Sequence, residues 1–483
     1  MPRLTRVEGT IEARRAAPSG ISHDWRNALL LAAGFAVLYL ALLPGNRSET
    51  DDGYGYAYQV RSTDWNWSFN PQHALLIPLG KVLSGFTDPY ATLIAISVVF
   101  GLASILLFFW TLRSMHFSHQ WSLMGGALLG ASYGFWRYSV EAETYTIATA
   151  TALLVVVAAL RQWPLPALIG LACLALLGHV LNLAVVFVVV PLLLWRRQPR
   201  ASLGWFLLAA VPASLAVGLL SLGNGPPIEP PVPQDLVRLP VGMGQSMIAA
   251  NGLLGLPGAA DLVSRLFPGR DLSAEMLIAQ ASAGPLAWAS ALTLLAVVVS
   301  ALVLAAAFVR GRLSASRTGL LVFGSWLGAY TLPAVLQDRG NPELWIVATI
   351  PLCGLMVALG QRCGARPPRS AIVVVSALIA HTVVAGLLPL QSRAHDVNYA
   401  SSRYLRDHAP AGSLVVTNDN QVLTRYLRYE LPVAVLNLNS QALPADLSPY
   451  PAVFVMPSAV DQVPLELIPA GDIYRVVDTE RES

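Results

Sequence analysis

Apolar stretches long enough to cross a lipid bilayer recur along the first 390 residues of this chain. A spanning helix needs about 20 mostly apolar residues, and the sequence offers about eleven such stretches. Only 12% of the residues are charged, whereas soluble domains carry about 25%. So few charges cannot cover a water-exposed surface, and so apolar a chain cannot stay disordered. The composition therefore excludes a soluble enzyme and predicts an all-α polytopic membrane protein.

The charges are sorted between the two predicted faces of the membrane. Arginines of the alternating short loops, such as Arg113 and Arg161, fall on the side of the N-terminal tail. The positive-inside rule therefore places the N-terminus in the cytoplasm and, with an odd number of spans, the C-terminus outside. All but three of the 28 acidic residues then face outward. The net charge of +3 gives no reason to expect a nucleic-acid partner.

The predicted outer face carries most of the polar sequence. It has long loops at about 45–90 and 223–285, and a tail at 391–483. We expect residues 1–390 to form the membrane domain and residues 391–483 to form a small soluble domain.

The tail differs in pattern from the rest of the chain. Residues 414–416 and 452–455 predict buried strands, and residues 399–408 and 420–429 predict helices. Strands that alternate with helices are typical of a layered α/β fold. The sequence therefore predicts a small extracytoplasmic α/β domain after the membrane helices.

Two adjacent carboxylates, Asp51 and Asp52, begin the first outer loop just after the first predicted span. In the simplest interpretation they belong to a solvated acidic turn that ends at Gly53. Carboxylates at the membrane surface also suit a general base or a metal ligand. His73, later in the same loop, is either a polar residue satisfied by the protein or part of the same site.

Polar residues also stand at membrane depth in two other places. Glu141 and Glu143, with Tyr145 close behind, follow the third predicted span, and charges so placed are functional candidates by default. The alternative is a hydrated loop in which Arg137 pairs with Glu141. His179, between two short spans, needs a polar partner that a neighbouring helix or a ligand would provide.

A further polar cluster lies at 337–343, between two later spans. Arg339 could bind a phosphate group. A capped turn, with Asn341 before Pro342 and Glu343, explains the same residues. All of these clusters fall on one predicted membrane face. They predict a polar cavity at the outer leaflet that is built from at least three loops.

Taken in order, these residues resemble the GT-C-type polytopic membrane glycosyltransferases, in the branch related to protein O-mannosyltransferases. The resemblance spans roughly residues 27–195. It is carried by Asp51-Asp52-Gly53, His73, Phe135-Trp136, the run from Glu141 to Tyr145, and Gly178-His179. The resemblance implies a GT-C-like fold and an inverting transfer of a sugar.

The resemblance also implies roles for the candidate residues. Asp51, or in second place Asp52, would be the base that activates the acceptor. The donor would be a sugar on a polyprenyl phosphate, and the acceptor a protein, lipid or glycan. The remaining candidates would contribute to substrate binding: His73, Arg137, Glu141, Glu143, Tyr145, His179, Arg339, Asn341 and Glu343.

The resemblance implies an integral protein of a bacterial inner membrane, in contact with membrane lipids and with its C-terminal domain outside the cytoplasm. A divalent metal is left open and is not required by the sequence. Two other classes of protein also stay open. One is a transporter or flippase that moves a lipid-linked substrate through the same cavity, and the other is a non-catalytic membrane scaffold.

Overall fold

The structure, a computed structural model, describes residues 19–47, 52–62, 74–197, 199–222, 243–266, 273–310, 316–336, 343–361, 366–419 and 421–477. Most of these residues are helical, and a small β-sheet lies near the C-terminal end. The predicted class, a mostly helical protein with a small C-terminal α/β unit, is confirmed at this level. The predicted boundary at residue 391 stays a prediction.

The helices up to residue 222 are mostly apolar. In chain order they are α1 (Ser19–Ala41), α2 (Asp52–Arg61), α3 (Leu76–Leu83), α4 (Pro89–Ser114), α5 (His119–Ala131), α6 (Tyr133–Ser139), α7 (Tyr145–Leu160), α8 (Leu165–Gly178), α9 (Val190–Arg197), α10 (Pro199–Leu208) and α11 (Ala210–Leu222). Of these, α7 is buried along almost its whole length and packs against α4 and α8. A helix that is apolar on every side belongs in the centre of a bundle.

The helices of the second half are more varied in length. They are α12 (Ala259–Leu266), α13 (Ser273–Ala281), α14 (Pro285–Arg310), α15 (Arg317–Leu336), α16 (Glu343–Ile346), α17 (Thr349–Gly360), α18 (Arg369–His381), α19 (Val397–Ser401), α20 (Arg403–His408) and α21 (Gln421–Glu430). A π-helical turn, Thr382–Leu387, continues α18 towards the C-terminal unit.

Within the described residues, three helical segments are long and apolar enough to cross a membrane: Pro89–Ser114, Pro285–Ala306 and Arg369–Leu390. The pair α10 and α11, bent by 43°, makes a fourth if it counts as one span. The prediction of about eleven full spans is therefore corrected for this part of the chain.

The count fails because an apolar run need not form one straight helix. α7 and α8 have only 16 and 14 residues. Sixteen helical residues reach about 24 Å, against a hydrocarbon core of about 30 Å. Ser132 interrupts another run between α5 and α6, where its hydroxyl donates to the Leu128 carbonyl at 2.7 Å. Such short helices are tolerated where other protein surrounds them.

The C-terminal sheet has five strands in the order β2-β1-β3-β5-β4. They are β1 (Leu414–Thr417), β2 (Ala434–Asn437), β3 (Val453–Val455), β4 (Leu467–Ala470) and β5 (Ile473–Val476). β1 runs parallel to β2 and β3, whereas β5 is antiparallel to β3 and β4. The predicted strands at 414–416 and 452–455 are present. α21 forms the crossover between β1 and β2.

A short segment after α1 is bonded to the segment that leads into the C-terminal unit. The backbone N–H groups of Gly45 and Asn46 donate to the Leu390 carbonyl at 2.9 and 2.8 Å. We call the contact between residues 45–47 and 390–396 the first-loop joint. It fixes the place where the first loop begins.

Side chains close the first-loop joint. The amide of Asn46 donates to the His395 carbonyl at 2.8 Å, and the backbone N–H of Arg47 donates to Asp396 at 2.8 Å. Asn46 and Asp396 are buried. Because buried polar groups cost stability when they lose a partner, these bonds hold the joint in one arrangement.

We expect Gly45→Ala to open the first-loop joint. A methyl group at residue 45 would collide with the carbonyl of Gln391, which belongs to the backbone and not to a flexible side chain. Overpacking of this kind costs about 1–3 kcal/mol, so the melting temperature in detergent should fall. Gly34→Ala in α1 is the matched control, because a methyl group there meets nothing within 4 Å. Equal melting temperatures for the two variants would contradict this account.

Candidate active site

Helix α2 is the central element of the candidate site, because it lies between the 140–144 loop and the C-terminal unit. A Cβ at Gly53 would lie 3.0 Å from the Cβ of Ala142, and a Cβ at Gly55 would lie 3.0 Å from the Cδ of Arg425. Both distances are tighter than ordinary packing. The two glycines therefore let a neighbour approach the helix backbone on each side.

Asp52 is the first residue of α2 and is held on both carboxylate oxygens. Its Oδ1 forms an ion pair with Arg425 on α21. Its Oδ2 accepts a hydrogen bond from the hydroxyl of Tyr56 at 3.3 Å. An acidic residue in the first turn also interacts favourably with the helix dipole. Asp52 thus anchors the start of α2 to the C-terminal unit.

Arg137 and Glu141 form an ion pair of 2.5 Å whose side chains are 1% and 0% exposed. The hydroxyl of Tyr90 donates to Glu141 at 3.1 Å, and Arg137 donates to the Asn46 carbonyl at 3.4 Å. The predicted pairing of these residues is present, but in the protein interior and not in a hydrated loop. A buried pair is costly to break on one side. It therefore fixes the 140–144 loop against the first-loop joint.

Glu343, at the start of α16, connects two tyrosines across the helices. The hydroxyl of Tyr138 donates to one of its oxygens at 3.1 Å, and that of Tyr145 donates to the other at 3.3 Å. The ring of Tyr145 also stacks on His179 at 5.5 Å. His179 in turn accepts the backbone N–H of Leu181 on Nδ1 at 3.0 Å. The polar partner predicted for His179 is thus supplied by its own chain segment.

Glu143 lies in the loop between α6 and α7 and is buried. Burial, together with the negative charges of Glu343, Asp52 and Glu141, raises the pKa of its carboxyl well above the usual range. We call Asp52, Glu143 and Glu343 the acidic group. Glu343 and Asp52 thus act on the carboxyl of Glu143, although the three residues are far apart in sequence. In the part of the chain that the structure describes, no three metal-ligating side chains are placed to hold an ion.

The structure brings together five of the residues predicted from the sequence. They are Asp52, Glu143, Tyr145, His179 and Glu343, with the Arg137–Glu141 pair beside them. The other four, Asp51, His73, Arg339 and Asn341, lie outside the described residues. For these four the sequence prediction stands as it was made.

A cavity of about 750 Å³ opens between the end of α1 and one face of α4. Its apolar wall includes Leu40, Leu43, Ile94 and Val98. Leu40 and the neighbouring Val99 are 59% and 62% exposed, so this wall reaches the outer surface of the bundle. An apolar surface of that kind suits contact with a lipid chain.

The other end of the cavity is polar and carries two arginines. The guanidinium of Arg47 lies 4.1 Å from the centre of the Tyr90 ring, and that of Arg61 lies 3.9 Å from the centre of the Tyr429 ring. Asp88 also lies at this end, where it accepts a hydrogen bond of 2.6 Å from the hydroxyl of Tyr429. Burial and the bond to Asp88 raise the pKa of Tyr429 to about 12. Planar cations held on aromatic rings are well suited to phosphate recognition.

The sequence analysis missed Arg47, Arg61 and Arg425. The first two are basic residues on the predicted outer face, where acids predominate. That exception to the sorting of charge is the signal that could have identified them. Arg425 lies on a helix of the C-terminal unit, and its meeting with Asp52 depends on tertiary structure alone.

No family model and no curated protein matches this chain. Among solved structures, ArnT from Cupriavidus metallidurans is similar with a TM-score of 0.46 and 14% identity, over 94% of this chain and 98% of that one. The oligosaccharyltransferase of Archaeoglobus fulgidus gives 0.36 and 13%, over 86% of this chain and 65% of that one. The arabinofuranosyltransferase AftD from Mycobacteria gives 0.38 and 16%, over 85% and 33%.

These three solved proteins are GT-C glycosyltransferases. Each TM-score lies below 0.5, so the likeness carries no argument about substrate or mechanism.

We expect Glu143→Gln to stabilise the protein at neutral pH. Because the carboxyl of Glu143 has a raised pKa in the folded state, the unfolded chain ionises first, and stability is lost as the pH rises above about 4.3. Glutamine does not ionise. The melting temperature of the variant in detergent should therefore exceed that of the wild type at pH 7, with a gap that closes towards pH 4.

The matched control for this prediction is Glu466→Gln, because Glu466 is exposed. It should leave the melting temperature unchanged at both pH values. If Glu143→Gln melts at a lower temperature than the wild type at pH 7, the ionised carboxylate stabilises the fold. That result would contradict the expected cost of ionising Glu143.

Proposed function

We propose that this protein is an inverting membrane glycosyltransferase that moves a sugar from a polyprenyl phosphate to an acceptor on the extracytoplasmic face. The single observation that supports this best is the cavity between α1 and α4. It joins an apolar wall at the bundle surface to a polar end that carries two arginines. A lipid with a phosphate headgroup has the same two-part chemistry.

In this proposal the prenyl chain lies along the apolar wall, on Leu40, Ile94 and Val98. The phosphate faces Arg47 and Arg61, which line the polar end. Charge-assisted hydrogen bonds from guanidinium groups to phosphate oxygens are short and strong. The donor enters sideways from the lipid, because the wall is continuous with the exposed surface of the helices.

The acidic group and its tyrosines are the proposed place for the sugar and the acceptor. Glu343 with Tyr138 and Tyr145 offers carboxylate and hydroxyl oxygens that accept hydrogen bonds, which suits the hydroxyl groups of sugars. Tyr90 connects the two regions, because it lines the cavity and donates to Glu141. The acceptor, a protein, lipid or glycan, would approach from the side of the C-terminal domain.

Transfer is a direct displacement at the anomeric carbon. Asp51 takes the proton of the acceptor hydroxyl while its oxygen forms a bond to the anomeric carbon. The bond from that carbon to the phosphate oxygen breaks, and polyprenyl phosphate leaves with the electron pair. Arg47 and Arg61 offset the charge that develops on the phosphate. A single displacement inverts the configuration of the sugar.

Asp51 is the proposed base because Asp52 is already engaged. Arg425 and Tyr56 occupy the two carboxylate oxygens of Asp52. Taking up the acceptor proton would neutralise this carboxylate and so weaken its ion pair with Arg425. Asp52 is therefore better suited to hold the start of α2 than to take the proton.

We expect Asp51→Asn to lower kcat by about 10²- to 10⁴-fold, which is the usual contribution of a general base. Asp52→Asn should have a smaller effect. The measurement is transfer from a panel of radiolabelled polyprenyl-phosphate sugars by the purified protein in lipid nanodiscs. Full activity in both variants would contradict the mechanism.

We expect Arg47→Gln and Arg61→Gln to weaken donor binding, each by about 10- to 150-fold, since a hydrogen bond to a charged group contributes about 1.5–3 kcal/mol. Sugar-free polyprenyl phosphate, used as a competitor, should lose inhibitory strength in parallel. Arg475→Gln, at an exposed position on β5, is the control and should bind as the wild type does. If polyprenyl phosphate inhibits both cavity variants as strongly as the wild type, the phosphate does not bind at this end of the cavity.

A further inference from the structure

The C-terminal unit touches the candidate site through one face of α21. The rings of Tyr426 and Tyr54 are nearly perpendicular, with their centres 5.0 Å apart. The guanidinium of Arg61 donates to the Tyr429 carbonyl at 2.8 Å and also covers its ring. These contacts join α21 to α2 along its length.

Arg425 lies at the centre of this contact. It forms the ion pair with Asp52, and its aliphatic stem lies against Gly55, one turn further along α2. Any larger residue at 55 would press on that stem. Arg425 also donates to Gln421 at 3.0 Å, which orients the guanidinium from its own helix.

The helix that carries Arg425 is itself firmly held. Arg428 donates to the Val435 carbonyl at 3.1 Å, and Asn437 donates to Thr424 at 3.0 Å. Both bonds tie α21 to the neighbouring strand β2. A side chain on such a rigid element holds its partner more accurately than one on a loop.

We propose that Arg425 is a positioning residue of the transfer reaction. It fixes the carboxylate of Asp52 and with it the start of α2, the helix that follows the base Asp51 in the sequence. The C-terminal domain thereby completes the active site instead of only covering it. This inference rests on the proposed function, because it assumes that Asp51 takes the acceptor proton.

Arg425 does not line the cavity assigned to the donor. Its loss should therefore change the rate of the chemical step and leave donor binding alone. For Arg425→Gln we expect kcat to fall about three- to tenfold, with the KM for the donor unchanged, since coupling between contacting residues is of this order. Arg425→Lys keeps the charge and should restore part of the rate.

The decisive experiment is a double-mutant cycle on the full-length protein in nanodiscs. It compares the wild type, Arg425→Gln, Asp52→Asn and the double variant. If Arg425 acts through Asp52, the double variant has the kcat of the slower single variant. Arg428→Gln, on the same helix but bonded within its own unit, is the matched control and should keep the wild-type kcat.

Gly55→Ala tests the same contact without removing a charge. The added methyl group would press on the stem of Arg425, so we expect a fall in kcat smaller than that of Arg425→Gln. The melting temperature of every variant is measured, so that a lowered fraction of folded protein is not mistaken for a slower reaction.

The results separate this inference from the function on which it rests. The positioning role alone would be overturned if the wild type is active and Arg425→Gln has the same kcat. It would also be overturned if the loss of kcat in the double variant equals the product of the losses in the two single variants. Full transfer by Asp51→Asn would overturn the proposed mechanism, whatever Arg425 does. A fall in kcat that Arg425→Lys reverses, and that is absent in Arg428→Gln, supports the proposal.

Discussion

The hydrogen bonds of the first-loop joint are the constraint on which the rest of the site depends. They attach the chain just after α1 to the segment that leaves the last membrane helix, although some 350 residues separate the two in sequence. Once this contact is made, Arg47 faces the cavity and α2 starts close to the 140–144 loop. Helices that are short or bent can then be arranged around a fixed point.

Charge is scarce in this protein, and most of the charges at the site are used in pairs. Arg137 and Glu141 neutralise each other in the interior, and Arg425 and Asp52 do so at the boundary between the two units. The carboxyl of Glu143 is different, because burial and the negative charges of Glu343 and Asp52 disfavour its ionised form. Carboxylates brought together at such a cost are typical of functional sites.

The sequence predicted the class of fold well, because apolar runs and buried strands are local patterns. It predicted the meeting of Glu143, Tyr145, His179 and Glu343 only as a shared membrane face. It failed on the number of spans, since some apolar runs form helices too short to cross, as α7 and α8 do, and another is broken at Ser132. It also could not predict the pairing of Arg425 with Asp52, because no local pattern relates a helix of the tail to the first loop.

The central claim is that the cavity between α1 and α4 holds a prenyl phosphate, with its sugar towards the acidic group. An experimental structure in nanodiscs with a bound polyprenyl-phosphate sugar tests it most directly. The account predicts the phosphate within hydrogen-bonding distance of Arg47 and Arg61, and the anomeric carbon close to Asp51. A phosphate bound elsewhere, with this cavity filled only by bulk lipid, would contradict it.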